Sequence, residues 1–518
     1  MTRELSTIID GKATGDDSGG RLSSTNPAHL DDVVADVALG SATSFAAAAR
    51  SAKSAQRSWA DVPAPVRGRV IAEIGRIVEA NKEQLARLVT REVGKPLAES
   101  LGEVQEIIDT CDFFLGEGRR LYGETVPSEM KDKALFTFRM PVGTVAVVTA
   151  GNFPVAVPSW YLIPALLCGN SVVWKPAEYS AAVATALYEC CVAGGLPDGV
   201  LNLVLAEGPA TFDGLALSLE EGLLDKIGFT GSSAVGSRIG ELAGRYVQSA
   251  CLELGGKNPM VIMPDADLEL AVEGALFSGF GTAGQRCTSL GTAIVHESLH
   301  DEFLERFVKA LDDSPVGDPF EAVLYGPMLE ERFAARLEEY LESLVEDHHA
   351  VLGSTTGRIS KAAPRNGFVG NPDEGVFCHP TIVDGVRIDD RLARTETFGP
   401  LVGVASFSDF DEAMAIANCS GYGLSSSIYT RSAEAAFRFQ RRISAGMVSV
   451  NNSTSGAEAH LPFGGNGKSG NGSRQSGKWV LDQMTRWQSM NWDYSGRLQK
   501  AQMDTDTVAA SRDLQVLP

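Results

Sequence analysis

Apolar residues recur at two different spacings along this chain of 518 residues. Ile71, Ile74 and Val78 follow a near-helical spacing, as do Val104, Ile107 and Ile108, and this pattern predicts that the first 120 residues are helical. Short apolar runs then alternate with helical stretches, which predicts a doubly wound parallel sheet of the α/β class. The expected strands are 134–139, 144–148, 171–174, 201–205, 225–229 and 258–263, with helices at about 157–168 and 180–193.

A second α/β run is expected to follow residue 287. Its predicted elements are strand 292–295, helices 299–311 and 328–345, strand 425–429 and helix 432–442. Residues 353–376 have the Gly, Pro and Asn content of a surface excursion, and residues 462–477 are rich in Gly and Ser. Residues 487–492 predict a final strand, and the tail from Ser495 is polar and needs no core.

Length and composition narrow the class of protein. A chain of 518 residues is too long for one hydrophobic core, so two or three domains are expected. The net charge of −21 disfavours nucleic acid and anionic membranes as partners. No charged residue occurs from Met140 to Trp174, but many Pro, Gly and Asn residues interrupt this stretch. It therefore predicts a buried strand, turn, helix and strand rather than a membrane span.

The eight cysteines do not suggest a disulfide framework in so long a chain. The first residues contain no apolar signal core, and the expected compartment is a reducing cytoplasm.

Cys287 and Glu253 are the strongest candidates for chemistry. Cys287 follows a glycine-containing run next to Arg286, a cation that can favour the thiolate. Glu253 ends an apolar strand before Gly255 and Gly256, where burial raises the pKa of a carboxyl and suits it to act as a base. A thiol and a base indicate acyl chemistry through a thioester. Each residue taken alone is equally consistent with a structural role.

Three further segments are typical of a nucleotide site beside a reacting carbonyl. Lys175 and Glu178 follow a strand, where α/β sheets bind ligands, and Glu178 would repel a 2′-phosphate, which favours NAD over NADP. Gly231 and Ser232 precede a helix start whose N–H groups suit a pyrophosphate, although an ordinary helix cap explains them as well. Asn152 follows a buried strand and offers an amide to an oxyanion, but an Asn in a turn before Pro needs no such role.

Other matches to known motifs lack the required context. His296 and His300 fit the H-E-x-x-H zinc pattern, but His296 is expected to end a strand, so no metal site is predicted. Residues 279–284 and 465–470 fit G-x-G-x-x-G without a clear strand-to-helix unit, so neither counts as a dinucleotide fingerprint.

Taken together, these segments resemble the aldehyde dehydrogenase superfamily. The matching motifs occur in the order of that family and cover roughly residues 5–494: Gly151–Pro154, Trp174–Glu178, Phe229–Ser232, Leu252–Lys257, Gly284–Cys287, Glu396–Pro400 and Pro462–Gly465. The resemblance implies a Rossmann-type NAD domain, an α/β catalytic domain and a small oligomerisation arm that builds a homodimer or homotetramer. The implied boundaries are 1–124 and 142–255 for the NAD domain, 256–480 for the catalytic domain, and 125–141 with 481–518 for the arm and tail.

The resemblance also implies roles for individual residues. Cys287 would attack the aldehyde, the Asn152 amide and the Cys287 N–H would hold the oxyanion, and Glu253 would activate the water that releases the acid. The implied cofactor contacts are Lys175 and Glu178 at the adenosine ribose, Gly231 and Ser232 at the pyrophosphate, and Glu396 and Phe398 at the nicotinamide end.

Within that superfamily the chain is most similar to the antiquitin branch, which oxidises α-aminoadipic semialdehyde. The similarity lies in residues 102–106, 154–157, 281–288 and 453–458. In that branch the residues matching Arg286, Gly456 and Ala457 hold the far carboxylate of the substrate. The chain departs from the branch at residues 459–462 and 175–178, so the semialdehyde is a hypothesis.

Two readings from other classes remain open at this point. The Cys287 and Glu253 pair also suits a hydrolase or acyl transferase without redox chemistry, and the fold also occurs in non-catalytic structural proteins. Dependence of product formation on NAD separates the first from a dehydrogenase, and loss of activity on alkylation by iodoacetamide tests the second.

Overall fold

The computed structural model describes residues 3–342, 344, 349–352 and 357–498. The part of the expected surface excursion at 353–356 and the tail after Leu498 lie outside the described residues. Among the described residues, no helix combines the length and the apolar character needed to cross a membrane.

The first large sheet has the strand order of a doubly wound fold. Its central strand Thr144–Val148 lies between Ser171–Lys175 and Lys226–Thr230, and all these neighbours are parallel. The complete order is Ser249–Glu253, Lys226–Thr230, Thr144–Val148, Ser171–Lys175, Leu201–Leu203, Ile8–Ile9 and Lys12–Ala13. The associated helices are Ala42–Ala60, Ala64–Ala80, Lys82–Val93, Leu97–Glu117, Ala156–Leu167, Ala181–Ala193, Gly208–Glu220 and Ser233–Arg245. The uncharged stretch before Lys175 is therefore a buried strand, turn, helix and strand, as the sequence predicted.

The second large sheet belongs to the second half of the chain. Its order is His349–Leu352, Thr381–Asp384, Leu401–Phe407, Leu290–His296, Asn258–Ile262, Ser425–Tyr429 and Met447–Val450. All neighbours are parallel except the first pair. The helices that follow or cover it are Leu268–Phe280, His300–Asp312, Glu331–Glu342, Arg391–Arg394, Phe410–Asn418 and Ala433–Arg442. The short helix Leu481–Met484 packs instead in the core of the first half, against helix Ala156–Leu167.

A three-stranded antiparallel sheet forms a separate arm. Strand Lys133–Pro141 pairs with Thr125–Val126 on one side and with Thr485–Asp493 on the other. The residues of Thr485–Asp493 after Thr485 are exposed, including Trp487 and Trp492. Smaller sheets pair Arg3–Leu5, His29–Leu39 and Gly20–Asn26, Val316–Gly317 with Phe368–Val369, and Tyr422–Gly423 with Asn466–Gly467.

The expectation that the first 120 residues are helical is wrong for residues 3–39. Strands Gly20–Asn26 and His29–Leu39 form an antiparallel pair before the first helix. The alternation of buried and exposed positions in His29–Leu39 is irregular, because the pairing is interrupted near Ser24 and Thr25. The period of two that identifies a half-buried strand is therefore weak in this segment.

Candidate functional site

A cavity of about 500 Å³ opens between the two α/β halves of the chain. Its wall is largely apolar and aromatic, and Cys287 and Thr288 lie in the lining. A concave, mostly apolar pocket with a few convergent polar groups is the usual form of a site for a small molecule. The aromatic residues in the wall are Phe153, Trp160, Phe277 and Phe463.

Cys287 lies in the loop between the 3₁₀ turn Gly281–Gly284 and strand Leu290–His296. Asn258 holds this loop, because its side-chain amide donates to the carbonyls of Cys287 at 2.9 Å and of Ser289 at 2.7 Å. Burial raises the pKa of the Cys287 thiol to about 12, and the nearby charges of Glu396 and Glu253 act in the same direction.

The structure corrects one expectation about Arg286. Its guanidinium forms an ion pair with Glu99 and lies over the ring of Phe277 at 4.5 Å from the centroid. The positive charge is thereby neutralised by a carboxylate instead of supporting a thiolate at Cys287, whose pKa is raised. Arg286 nevertheless lines the same cavity as Cys287, together with Gly456 and Ala457.

Glu253 ends strand Ser249–Glu253 and is buried. Neither of its carboxylate oxygens has a hydrogen bond of standard geometry to any described residue. Burial raises the pKa of Glu253 well above its usual range, and the charge of Arg474 and the N–H of Gly465 offset this effect only in part. The raised pKa that the apolar strand predicted is confirmed, and it is the property expected of a general base near neutral pH.

Asn152 lies in the loop after strand Thr144–Val148 and is also buried. Its side-chain nitrogen donates to the backbone oxygen of Gln285 at 2.8 Å, two residues before Cys287. An amide nitrogen carries two N–H bonds, so one donor remains after this contact. The fold thus joins Asn152 to the cysteine loop across a sequence separation of 133 residues.

Lys175 ends strand Ser171–Lys175 and Glu178 follows it, one strand away from the reversal of strand order between Thr144–Val148 and Lys226–Thr230. Sheets of this class bind ligands at the carboxyl ends of their strands. Lys175 Nζ is 3.2 Å from Glu178 Oε2, and Arg332 Nη2 is 3.1 Å from Glu178 Oε1. Although burial acts in the opposite direction, these two cations hold the pKa of Glu178 below its usual range. Arg332 comes from the second half of the chain and had no signal in the sequence analysis.

Gly231 and Ser232 lie between helix Ser233–Arg245 and strand Lys226–Thr230, which stands at the reversal of strand order beside Thr144–Val148. Ser232 is the N-cap, and its side-chain oxygen accepts from the N–H of Val235 at 3.4 Å. The other N–H groups of the first turn have no partner inside the helix, which suits an anion.

Glu396 approaches the loop after Glu253 from the second half of the chain. Its Oε1 accepts from the N–H of Gly256 at 3.1 Å, and a Cβ at Gly255 would collide with the carboxylate. Burial raises the pKa of Glu396 to about 7 against the effects of this N–H and of nearby cations. Phe398 has a φ of 49° and packs on the Phe333 ring at 6.0 Å between centroids. The paired Lys175 and Glu178 at one strand end and Glu396 against the glycines after Glu253 are groups suited to hydroxyls of a dinucleotide.

The sequence analysis assigned no site role to three carboxylates in the cavity wall, although two of them lie in the segment 102–106 that resembles the antiquitin branch. Glu99, Glu103 and Glu106 lie on helix Leu97–Glu117, and all three line the cavity. Oxygen Oε1 of Glu106 is buried without a hydrogen-bond partner among the described residues, and burial raises the pKa of this carboxyl to about 8. Their spacing of four and three residues places acids on one helix face among apolar residues, and that pattern is the signal that could have identified them.

The two histidines of the zinc-like motif lie apart from the cavity. His296 is the last residue of its strand and pairs with Ser298, while His300 Nε2 is 2.9 Å from Asp384 Oδ1. No group of three or more potential metal ligands occurs among the described residues.

Comparison with protein families agrees with this geometry. A model described as the aldehyde dehydrogenase family matches residues 14–490 of the chain.

Individual relatives and a solved structure give the same result. An α-ketoglutarate semialdehyde dehydrogenase of Haloferax volcanii is 37% identical over 468 residues, which are 90% of this chain and 94% of the relative. An α-aminoadipic semialdehyde dehydrogenase of Bos taurus is 36% identical over 479 residues, which are 91% of this chain and 86% of the relative. The crystal structure of a betaine aldehyde dehydrogenase of Staphylococcus aureus in complex with NAD+ superimposes with a TM-score of 0.90 at 28% identity, covering 96% of each chain.

Proposed function

This chain belongs to the aldehyde dehydrogenase family, and on that premise we propose that it oxidises a semialdehyde to the carboxylic acid through a thioester on Cys287. The protein is an aldehyde-oxidising oxidoreductase, and the family uses NAD or NADP. The observation that carries the proposed mechanism is a half-buried thiol in the cavity wall together with a buried carboxylate, Glu253, whose charge acts on that thiol. The family match favours this activity over a non-redox hydrolase and over a non-catalytic structural protein.

In the first half of the reaction, the Cys287 thiol gives its proton to solvent water and the sulfur bonds to the aldehyde carbon. The carbonyl oxygen becomes an oxyanion, and the proposed donors to it are the remaining N–H of Asn152 and the backbone N–H of Cys287. The residues that would hold NAD are Lys175, Glu178, Gly231, Ser232, Glu396 and Phe398. The chemistry that NAD supplies when bound is to accept the hydride that leaves the thiohemiacetal carbon, which converts the adduct into a thioester.

In the second half, Glu253 takes a proton from a water molecule while the oxygen of that water attacks the thioester carbon. The C–S bond then breaks, the carboxylic acid leaves and the Cys287 sulfur is restored. Neither oxygen of Glu253 has a hydrogen bond of standard geometry to a described residue, and apart from the nearby N–H of Gly465 the carboxylate is available to accept a proton. The raised pKa of Glu253 supports this role, because it strengthens the carboxylate as a base.

The cavity supports a substrate that carries both an amino group and a carboxylate. Arg286 is already paired with Glu99, so it does not present a full positive charge to the substrate, and the backbone at Gly456 and Ala457 shares the proposed anion-binding role. Glu106 has a buried oxygen in the same cavity, and an ammonium group beside it would favour the charged form of this carboxyl, whose pKa burial raises to about 8. Of the two relatives named above, the bovine enzyme has an amino-bearing substrate in its name, and the archaeal enzyme has a keto acid.

We expect kcat/KM for α-aminoadipic semialdehyde to exceed that for hexanal by roughly tenfold to a hundredfold, because a charge-assisted hydrogen bond contributes about 1.5–3 kcal/mol. Succinic semialdehyde, which carries the carboxylate without the amine, is expected to fall between them. The measurement is the initial rate of NADH formation at saturating NAD. In the Glu106→Gln variant the preference for the amino substrate over succinic semialdehyde should decrease. Equal kcat/KM for the amino substrate and hexanal would end the substrate proposal.

Glu178, which pairs with Lys175 and Arg332, is expected to set the preference of the protein for NAD over NADP. The wild-type protein is expected to favour NAD, because the Glu178 carboxylate repels a 2′-phosphate. The Glu178→Gln variant removes the carboxylate partner of Lys175 and leaves Arg332 with Glu330, so the ratio of kcat/KM for NADP to that for NAD should rise at least tenfold. Glu330→Gln is the matched control, because Glu330 also pairs with Arg332 but lies outside the strand-end loop of Lys175. An unchanged ratio in Glu178→Gln would contradict this assignment.

We also propose that the protein is a cytoplasmic homo-oligomer assembled through its arm. Large apolar side chains are exposed along two adjacent strands of the arm, namely Phe138, Met140, Trp487, Met490 and Trp492. Exposed apolar patches of this kind are typical of interaction surfaces. All eight cysteines are free thiols, which supports a reducing compartment. Light scattering of the purified protein separates a monomer, a dimer and a tetramer.

A further inference from the structure

A buried ion pair lies behind the turn that carries Asn152. Lys95 contacts Glu103 Oε2, and neither side chain has any exposed area. The other oxygen, Glu103 Oε1, accepts from the N–H of Val155 at 2.8 Å and from the N–H of Ala156 at 3.2 Å. These N–H groups belong to the start of a helix, where the helix itself supplies no acceptor. Glu103 therefore fixes the backbone three and four residues after Asn152.

Lys95 contacts the same turn from a second side. Its Nζ lies 3.3 Å from the centroid of the Phe153 ring, and Phe153 directly follows Asn152. A desolvated ammonium over an aromatic face is strongly attracted to it. Phe153 also lines the cavity that contains Cys287. One ion pair thus restrains the turn both at its aromatic side chain and at its backbone.

Stability alone gives a poor account of this pair. Two charges lose their hydration on burial, and well-packed apolar residues in the place of a buried ion pair are often neutral or stabilising. The carboxylate does serve as a helix cap, but a neutral side chain is able to cap a helix as well. The two contacts share the turn of Asn152, so a function in placing that turn accounts for both of them.

We propose that Lys95 and Glu103 are positioning residues that hold the Asn152 amide against the thiohemiacetal oxyanion. The inference rests on the proposed role of Asn152 as the oxyanion donor. It adds that the direction of this donor is set by a buried ion pair 49 to 57 positions earlier in the chain. Neither Lys95 nor Glu103 needs to touch the reacting atoms.

The test is a double-mutant cycle read at the first half of the reaction. The rate of NADH formation in a single turnover, at saturating NAD and aldehyde, is measured for wild type, Glu103→Gln, Asn152→Ala and the double variant. Glu103→Gln keeps an acceptor for the two N–H groups but removes the charge that holds Lys95. We expect it to slow the single turnover about tenfold or more in the wild-type background and less than twofold in the Asn152→Ala background, because residues that act through one another are not additive.

Glu92→Gln is the matched control. Glu92 is also buried and also caps a helix, since it accepts from the N–H of Ala182 at 2.9 Å and of Val183 at 2.8 Å. Its helix does not carry Asn152. We expect Glu92→Gln to lower the melting temperature and to leave the single-turnover rate at saturating NAD within twofold of wild type.

Two outcomes would overturn the inference, and they have different meanings. If Asn152→Ala does not slow the single turnover, the proposed oxyanion role of Asn152 fails and the inference fails with it. If Asn152→Ala slows the reaction but Glu103→Gln slows it equally in both backgrounds, or in neither, the oxyanion role stands and the positioning role is wrong. Should Glu103→Gln fold poorly, the same cycle is run with the combined Lys95→Met and Glu103→Gln variant, which leaves no unpaired charge.

Discussion

Replacing Cys287 by alanine is expected to lower kcat for aldehyde oxidation by about a thousandfold or more, because no other group in the cavity is able to form the thioester. The residual rate should not show a burst of NADH. The variant should still bind NAD, because the proposed cofactor contacts lie on other residues. Quenching of intrinsic fluorescence measures this binding. Steady-state assays with a semialdehyde and NAD provide the measurement.

Cys190→Ala is the control for this prediction, since Cys190 is a second buried thiol and lies on helix Ala181–Ala193 away from the cavity. It is expected to keep the activity of wild type. Because burial raises the pKa of Cys287 to about 12, its alkylation by iodoacetamide without NAD should accelerate continuously as the pH rises from 7 to 10, without a plateau. Activity that survives complete alkylation of Cys287 would refute its role as the nucleophile.

Replacing Glu253 by glutamine is expected to stop the reaction after one equivalent of NADH per active site. The amide has nearly the same shape but does not accept a proton from water, so the thioester forms and is then hydrolysed slowly. The steady-state rate should fall by about 10²–10⁴-fold, the usual contribution of a general base. Rapid mixing with NAD and aldehyde measures the burst, and mass spectrometry of the quenched protein detects the acyl group on Cys287.

The rate of thioester hydrolysis in the wild-type protein should also depend on pH, because it depends on the protonation state of Glu253. Glu253 is active as a base only when it is deprotonated, so hydrolysis of the thioester should be slow at low pH and should increase as the pH rises through the pKa. Burial places that pKa well above the usual range of a carboxyl, and the increase should therefore occur at a higher pH than for an exposed glutamate. Glu92→Gln again serves as the control for loss of a buried carboxylate. Undiminished steady-state turnover of Glu253→Gln would remove Glu253 from the mechanism.

The parts of the fold predicted from the sequence are those in which local pattern and burial agree. Strands Thr144–Val148 and Ser171–Lys175 are continuous apolar runs, and both were predicted within one residue at their ends. Strands Thr381–Asp384 and Leu401–Phe407 were missed although they are largely buried. Each is a short apolar run near charged or glycine-rich segments, and a run of this kind does not by itself distinguish a buried strand from a loop.

The residues of the candidate site likewise fall into those that a local motif indicates and those that only the tertiary fold brings together. Cys287, Glu253 and Asn152 were identified because each lies in a recognisable local motif. The pairing of Arg286 with Glu99 was not, because the two residues are 187 positions apart and only the tertiary fold brings them together. The same holds for Arg332 at Glu178, at a separation of 154 positions. Charge compensation is a property of the packed structure, and for this reason the sequence suggested a thiolate-stabilising arginine that the fold neutralises.

The strand pairing of the arm determines when the arm is able to form during synthesis of the chain. Its outer strand Thr485–Asp493 pairs with Lys133–Pro141, and the side chains of Arg139 and Asp482 that meet beside this pairing are 343 residues apart in the chain. Nearly all of the second α/β half is translated between these strands. A ribosome must therefore finish that half before the arm is able to close. If subunits associate through the arm, association is a post-translational event, and truncated chains that lack the cysteine loop are excluded from assembly because they lack the closing strand.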